Sequence, residues 1–432
     1  MDGTKKIASS KIERITEAVV FMALFALPWI NKVHVATFLF MGLAVLLLSQ
    51  RIRKIDLSFF YKQWIFILFL LYYILQVIVL CIFPDHWNKS AISQKASLVV
   101  IPFLFYMVCV PDKGLWKTTI RGFVLGNVFA AICCAAYAVS RYFSTGNPRV
   151  FFYHTYAGFT GMNAIYFSLY ILVSLIYLLK YPPEVIVGGI RSKWAVPLIT
   201  AFQLFNLLLL SSKMMIALGV IILLLTVRDR LKNAVQKTMA LLLFILVGVS
   251  LAIVKNPVSR RFYDINFTNY GQVFHQDTFT DFHFDGLNLR LLLWRLGAEL
   301  SQKNLAWLTG QGGEHYHDAL NVKIKQSGMY AGDSVSHTTG YLNYNMHNQY
   351  MESYVQYGSV GLLILIIIIA GLIYFSFSQP TVLLRYFVLI FGVLFFSESV
   401  LETQSGILVF TIIISGEWIQ LQQQKKILNF TV

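Results

Sequence analysis

The feature that most constrains this chain is a series of apolar runs, each 14 to 27 residues long, recurring between residues 15 and 422. About 20 apolar residues make a helix long enough to cross the hydrocarbon core of a bilayer. In that medium a helix or a closed barrel alone satisfies its own backbone polar groups. The runs lie at about 15–30, 34–49, 63–83, 97–110, 119–142, 162–179, 194–210, 213–227, 238–254, 349–375, 382–397 and 404–422. The predicted fold class is therefore an all-α polytopic membrane protein with about 12 transmembrane helices. Composition agrees: 13% of residues are charged and 57% hydrophobic, against roughly 25% charged in soluble domains. A disordered chain, a coiled coil and an ordinary cytosolic enzyme are excluded.

The net charge of +15 would ordinarily suggest a nucleic-acid partner, and the topology supplies a different cause. Twelve spans place both termini on one side. The segments on that side hold 21 of the 35 Lys and Arg and 8 of the 20 acids, a net +13, leaving +2 for the other face. Short cytoplasmic loops collect Lys and Arg, so both termini are predicted to be cytoplasmic, and no nucleic acid is needed. The first run follows Lys5, Lys6, Lys11 and Arg14, as in a signal peptide, but without a small-residue cleavage site. It reads as a retained helix. Cys81, Cys109, Cys133 and Cys134 all fall in or beside apolar runs and form neither a disulfide framework nor a CxxC pattern.

One segment interrupts the alternation of span and short loop. Residues 255–347 contain no spanning run, carry six of the nine histidines, and balance eight basic residues against eight acidic ones. This divides the chain into helices 1–9 (1–254), one large loop (255–347) and helices 10–12 (348–432). By parity the loop faces the periplasm in a Gram-negative cell. Within it, residues 288–302 predict an amphipathic helix with Leu289, Leu292, Leu293 and Leu296 as its apolar stripe and Asn288 as its cap. Arg290 and Trp294 share a face. A helix lying on the membrane surface with a snorkelling arginine is the plain alternative. Residues 313–340 read as irregular.

The sharpest local pattern is His347-Asn348, nine residues, then Gly358-Ser359-Val360-Gly361, running into an apolar span. A histidine at the start of a membrane helix sits where backbone N–H groups are unpaired and the helix dipole is positive, a place suited to phosphate. Gly358 and Gly361 allow close backbone packing. The bland reading is an interfacial histidine followed by packing glycines. Lys213 lies in a short hairpin between two spans on the outer side and needs a partner there or a lipid headgroup. His154, Glu398 and Glu402 read as solvated loop residues on the same side. His315-Tyr316-His317-Asp318 lacks a third spaced ligand and is a weak metal pattern; no metal or other cofactor is expected.

These residues give the chain a resemblance to the O-antigen ligase family, within a superfamily that includes O-antigen polymerases and protein O-oligosaccharyltransferases. His347-Asn348-x9-Gly358-x2-Gly361 is similar to the family's histidine motif. Arg290-x3-Trp294 with Gly310-x-Gly312 resembles its arginine helix and trailing glycines. The helix count and the large loop before the histidine also agree. Lys213 departs from the pattern, standing where many members carry arginine; it keeps the charge and loses the bidentate fork.

The resemblance implies a GT-C-like glycosyltransferase of the inner membrane, acting at its periplasmic face without a metal. It would move a glycan from an undecaprenyl-diphosphate carrier to a lipid A–core hydroxyl with inversion. Arg290, Lys213 and Asn348 would hold the diphosphate, and His347 would act as general base or phosphate ligand. A polymerase of surface polysaccharide and a protein-glycosylating transferase are alternatives of the same class. A transporter or flippase for lipid-linked sugars is the alternative of another class, and would call for charged residues at mid-membrane depth in several spans.

Overall fold

In the computed structural model the described residues are 2–29, 40, 42–43, 62–82, 89–109, 113–181, 183–187, 194–230, 233, 236, 270–280, 282, 284–302, 305–313, 315–332, 339–379 and 382–430. Helix is the only regular secondary structure among them. Trp64–Ile82, Gly114–Thr145, Gln349–Ser378 and Gln404–Gln423 are long and apolar enough to cross a membrane. Ile92–Met107, Ala164–Lys180, Ala195–Leu209, Lys213–Thr226 and Leu383–Leu394 are shorter apolar helices. Of the run expected at 34–49 only residues 40, 42 and 43 are described, and the run at 238–254 lies outside the described residues. The chain is an all-helical membrane protein.

Two compact units result. One comprises residues 1–56, 103–262 and 412–432; the other comprises 57–102 and 263–411. In the first unit, helix Asp2–Phe25 packs on helix Lys113–Thr145 through Gly122 and Gly126, a small-xxx-small pair. A Cβ at Gly122 would stand 2.6 Å from the Phe21 carbonyl oxygen, and one at Gly126 would overlap the Phe25 backbone. Such close approach is how spanning helices gain dispersion energy without a hydrophobic drive. Helix Ala164–Lys180 starts at Asn163, whose Oδ1 accepts from the Ile165 N–H at 2.9 Å, and it is buried along almost its whole length.

In the second unit the hydrophilic segment folds. Its helix Gly286–Ser301 begins at Asp285, not at Asn288: Asp285 Oδ1 accepts from the Leu287 and Asn288 N–H groups at 2.7 and 2.9 Å. Asn288 is buried inside the first turn and donates to Asp285. The leucine stripe does not lie on a membrane surface. Leu292, Leu293, Leu296 and Leu300 are buried with Tyr316, Leu320, Ile324, Met346 and Val355. Tyr316, Leu320 and Ile324 come from helix His315–Gln326, in a stretch that the sequence read as irregular. Its i, i+4, i+8 spacing is the signal that reading passed over.

Candidate functional site

Two helices of the second unit carry the site. Helix Gly286–Ser301 presents Arg290 and, one turn on, Trp294; helix Gln349–Ser378 is preceded by His347 and capped by Asn348. Trp294 Nε1 donates to the Met346 carbonyl at 2.8 Å, which fixes the arginine helix to the residue before the histidine. The Arg290-x3-Trp294 spacing thus has a geometric meaning: one residue faces the site and the other anchors its frame.

Arg290 and His347 meet on Glu398. Arg290 Nη2 donates to Glu398 Oε1 at 2.9 Å, and His347 Nδ1 stands 3.5 Å from Glu398 Oε2. The Glu398 side chain is only 7% exposed, so it is no solvated loop residue. Arg290 is held further by the Ser397 carbonyl at Nε (3.1 Å) and the Gly286 carbonyl at Nη1 (2.6 Å). A guanidinium has five N–H donors, so two remain for a ligand on a group whose plane is already fixed. His347 adopts a left-handed backbone (φ 44°) with its N–H on Asn345 Oδ1 at 3.0 Å. A non-glycine residue there is held by its surroundings, and such residues gather at functional sites. Tyr344 sets its ring edge-on to the His347 imidazole at 5.7 Å.

Asn348 spends its side chain on the protein. Oδ1 accepts from the Tyr350 and Met351 N–H groups at 2.9 and 3.0 Å, and Nδ2 donates to the Phe396 carbonyl at 3.2 Å. Gly358 is where this helix breaks, with φ 66° and ψ −164° inside an otherwise helical run. That conformation is open to glycine alone. The break frees the Val355 and Gln356 carbonyls, which accept instead from the N–H groups of Gln311 (2.8 Å) and Gly312 (3.2 Å). A Cβ at Gly358 would overlap the Leu308 backbone, and one at Gly310 the Gln356 backbone. Gly310 and Gly312 both have positive φ, which shapes the turn that fits this break. Gly361 packs against Tyr357 and the Ser353 carbonyl, across the break from them.

Behind this surface lies a buried polar network, of which the sequence singled out Glu402 alone, and as a solvated loop residue, whereas it is paired with the buried Lys95. Glu352, fully buried, accepts from the Tyr316 hydroxyl, from Gln356 Nε2 at 2.7 Å, from the Met346 N–H at 2.8 Å and from the Ser399 hydroxyl at 2.9 Å. Lys95 Nζ donates to Gln356 Oε1 (3.0 Å) and Tyr357 Oη (2.6 Å) and pairs with Glu402 at 3.0 Å. Glu352 stands four residues after Asn348 on a buried face of the helix, and an acid inside an apolar run was the available signal.

Lys213 belongs to the first unit, at the start of helix Lys213–Arg230. The turn before it is tight: Ser211 has φ 49° and its hydroxyl donates to the Leu208 and Leu209 carbonyls at 3.1 Å. His154 is exposed and accepts from the Ala164 N–H at 3.3 Å through Nδ1. His315, His317 and Asp318 share one helix, and among the described residues no group of three His, Cys, Asp or Glu side chains is placed to hold a metal. His283, His337 and Glu314 lie outside the described residues.

An arginine paired with a buried carboxylate and a histidine 3.5 Å from the same carboxylate, at the mouth of a broken apolar helix, define a helical membrane protein with a charged site. Residues 198–366 match the O-antigen ligase family model (Wzy_C), which makes this part of the chain similar to that family. The matched region contains Lys213, Arg290, His347, Asn348, Gly358 and Gly361, while Lys95, Glu398 and Glu402 fall outside it. None of the curated proteins matches the chain.

Proposed function

We propose that the chain transfers a glycan from an undecaprenyl-diphosphate donor to a lipid A–core hydroxyl, at the periplasmic face of the inner membrane. The observation that carries this is the seat of Arg290 and His347 on Glu398. With Nδ1 turned toward the carboxylate, His347 keeps Nε2 for the acceptor hydroxyl and takes its proton as general base. The hydroxyl oxygen then attacks the anomeric carbon from the side opposite the diphosphate. The bond from that carbon to the diphosphate oxygen breaks, and the configuration inverts in one step. The leaving group departs as an anion, stabilised by the two free N–H donors of Arg290. Fixed cations of the chain supply the charge a divalent metal provides elsewhere, so chelation with EDTA should leave the rate unchanged. The +13 to +2 charge asymmetry supports the orientation.

The test is transfer from purified lipid-linked donor to lipid A–core by the detergent-solubilised protein. Arg290→Ala and His347→Ala should each lower kcat by about 10²–10³-fold, the usual result of losing one donor to a developing charge. Protein levels should hold. Lys213→Arg should retain far more activity than Lys213→Ala. Full activity in His347→Ala would remove the reading. A deletion strain distinguishes the acceptor: bare lipid A–core supports ligase chemistry, and core bearing a single repeat unit supports polymerase chemistry instead.

A further inference from the structure

The segments bearing His347 and Glu398 are far apart in sequence, and the 3.5 Å approach between their side chains has to be held by something. Helix Leu383–Leu394 ends before Glu398, whose N–H still donates to the Leu394 carbonyl at 2.9 Å. Besides Asn348 Nδ2 on the Phe396 carbonyl, one carboxylate joins the two segments. Glu352 Oε2 accepts from the N–H of Met346, the residue before His347, and from the hydroxyl of Ser399, the residue after Glu398. Its other oxygen accepts from Tyr316 and Gln356. Gln356 cannot turn its amide round, because Lys95 Nζ donates to Gln356 Oε1. The Met346 N–H and the Gln356 amide can only donate to Glu352, one at each carboxylate oxygen. Gln349 adds a second strap: its N–H donates to the Phe395 carbonyl at 2.7 Å and its Oε1 accepts from Leu401 N–H at 2.6 Å.

We infer that Glu352 is a positioning residue, which acts through Met346 and Ser399 to set the distance between the His347 imidazole and the Glu398 carboxylate. It touches no substrate atom. Its effect is to hold the left-handed backbone of His347 and the Glu398 turn in one register, so that Nε2 of the imidazole points to the acceptor. This deepens the glycosyl-transfer reading and, as regards turnover, rests on it. Misplacing a catalytic group by an ångström lowers rate with little change in ground-state binding.

The variants are Ser399→Ala, which removes the bond from Glu352 to the Glu398 turn and keeps the Glu352 side chain, and Glu352→Gln, which turns one acceptor into a donor. Each is made alone and with His347→Ala. Two readouts are taken on the full chain in detergent: kcat and KM for transfer, and the rate of His347 carbethoxylation by diethyl pyrocarbonate, followed by mass spectrometry. Ser399→Ala should lower kcat about tenfold with KM within about twofold. It should add nothing in the His347→Ala background, since residues acting through one group are not additive. His347 should react several-fold faster or slower once freed from Glu398. If Glu352→Gln fails to accumulate, Ser399→Ala decides alone. Unchanged His347 reactivity in Ser399→Ala overturns the positioning whatever the reaction is, as does an equal loss of kcat in the His347→Ala background. Altered reactivity together with full turnover by His347→Ala would uphold the positioning and overturn the assigned reaction.

Discussion

The two units treat buried polar side chains in opposite ways. In the first unit they mostly return to their own helix: Thr119, Asn127, Ser168 and Ser174 each donate to the carbonyl four residues back. Tyr156 with Asn206, and Tyr177 with Glu417 at 3.1 Å, are its longer links. In the second unit the bonds reach across the chain. Tyr72 meets Ser353, Lys95 meets Gln356, Glu352 meets Ser399 and Arg290 meets Glu398, over separations of 281, 261, 47 and 108 residues. A back-bonded hydroxyl is already satisfied before helices pack, so it specifies little about its neighbours. A charge that finds its partner only in the folded state specifies one arrangement, and leaves a large penalty if either partner is removed. The first unit is built as a scaffold, and the second holds a site in register.

Removing the buried cation is the hardest test of this contrast. Lys95→Ala would strand Glu402 and the Gln356 amide in a buried setting, and should cost about 3–5 kcal/mol, read as a large fall in Tm in detergent. A fall no larger than that for a helix hydroxyl would erase the distinction. Next comes Gly358→Ala. The backbone there admits glycine alone, and the strain of about 1–3 kcal/mol adds to the overlap with Leu308. The thermal shift should accompany a loss of turnover, because the same break carries the histidine helix.

A smaller, pH-dependent effect is expected at Glu299. Burial pushes its carboxyl up, but Lys323, by hydrogen bond and charge, and then Arg295 at 2.9 Å outweigh that and hold it below the usual range. A carboxylate lowered in the folded state stabilises it above its unfolded value, and that contribution disappears as pH falls through the folded value. The Tm gap between wild type and Glu299→Gln should therefore be present at neutral pH and close as pH falls below the ordinary carboxylate range. A gap that widens in acid would show that the pair does not stabilise the fold. Least of all, Ser168→Ala in the first unit should change stability by less than about 1 kcal/mol. The Ala164 carbonyl keeps its backbone partner, and a larger loss would mean that the scaffold is also held by its polar groups.

The residues of the site were legible in the sequence as motifs, and their grouping was not. Arg290 and Trp294 fall four apart on a leucine-striped helix, and His347 precedes an apolar run, so both were found from spacing alone. Glu398 read as a solvated loop acid because its neighbours Ser397 and Ser399 are polar; the fold buries it under Arg290. Asn348 was a phosphate ligand only by resemblance, and the fold adds a role as helix cap, with its Oδ1 on two backbone N–H groups. Glu352 was hidden because only its four partners, drawn from four separate segments, give it meaning.

Sequence by itself determined that this chain is helical and belongs in a membrane, since the length and polarity of each apolar run set its solvent without reference to any other run. It also located the arginine and histidine helices through periodicity, although the first is capped by Asp285 and not by Asn288. Tertiary structure decided the rest. That Arg290 and His347 share a carboxylate, and that Gly358 breaks its helix to receive the 310–312 turn, depend on contacts between segments 40 to 110 residues apart. No window of sequence contains both partners of such a contact, and its energy appears only once the chain has closed around it.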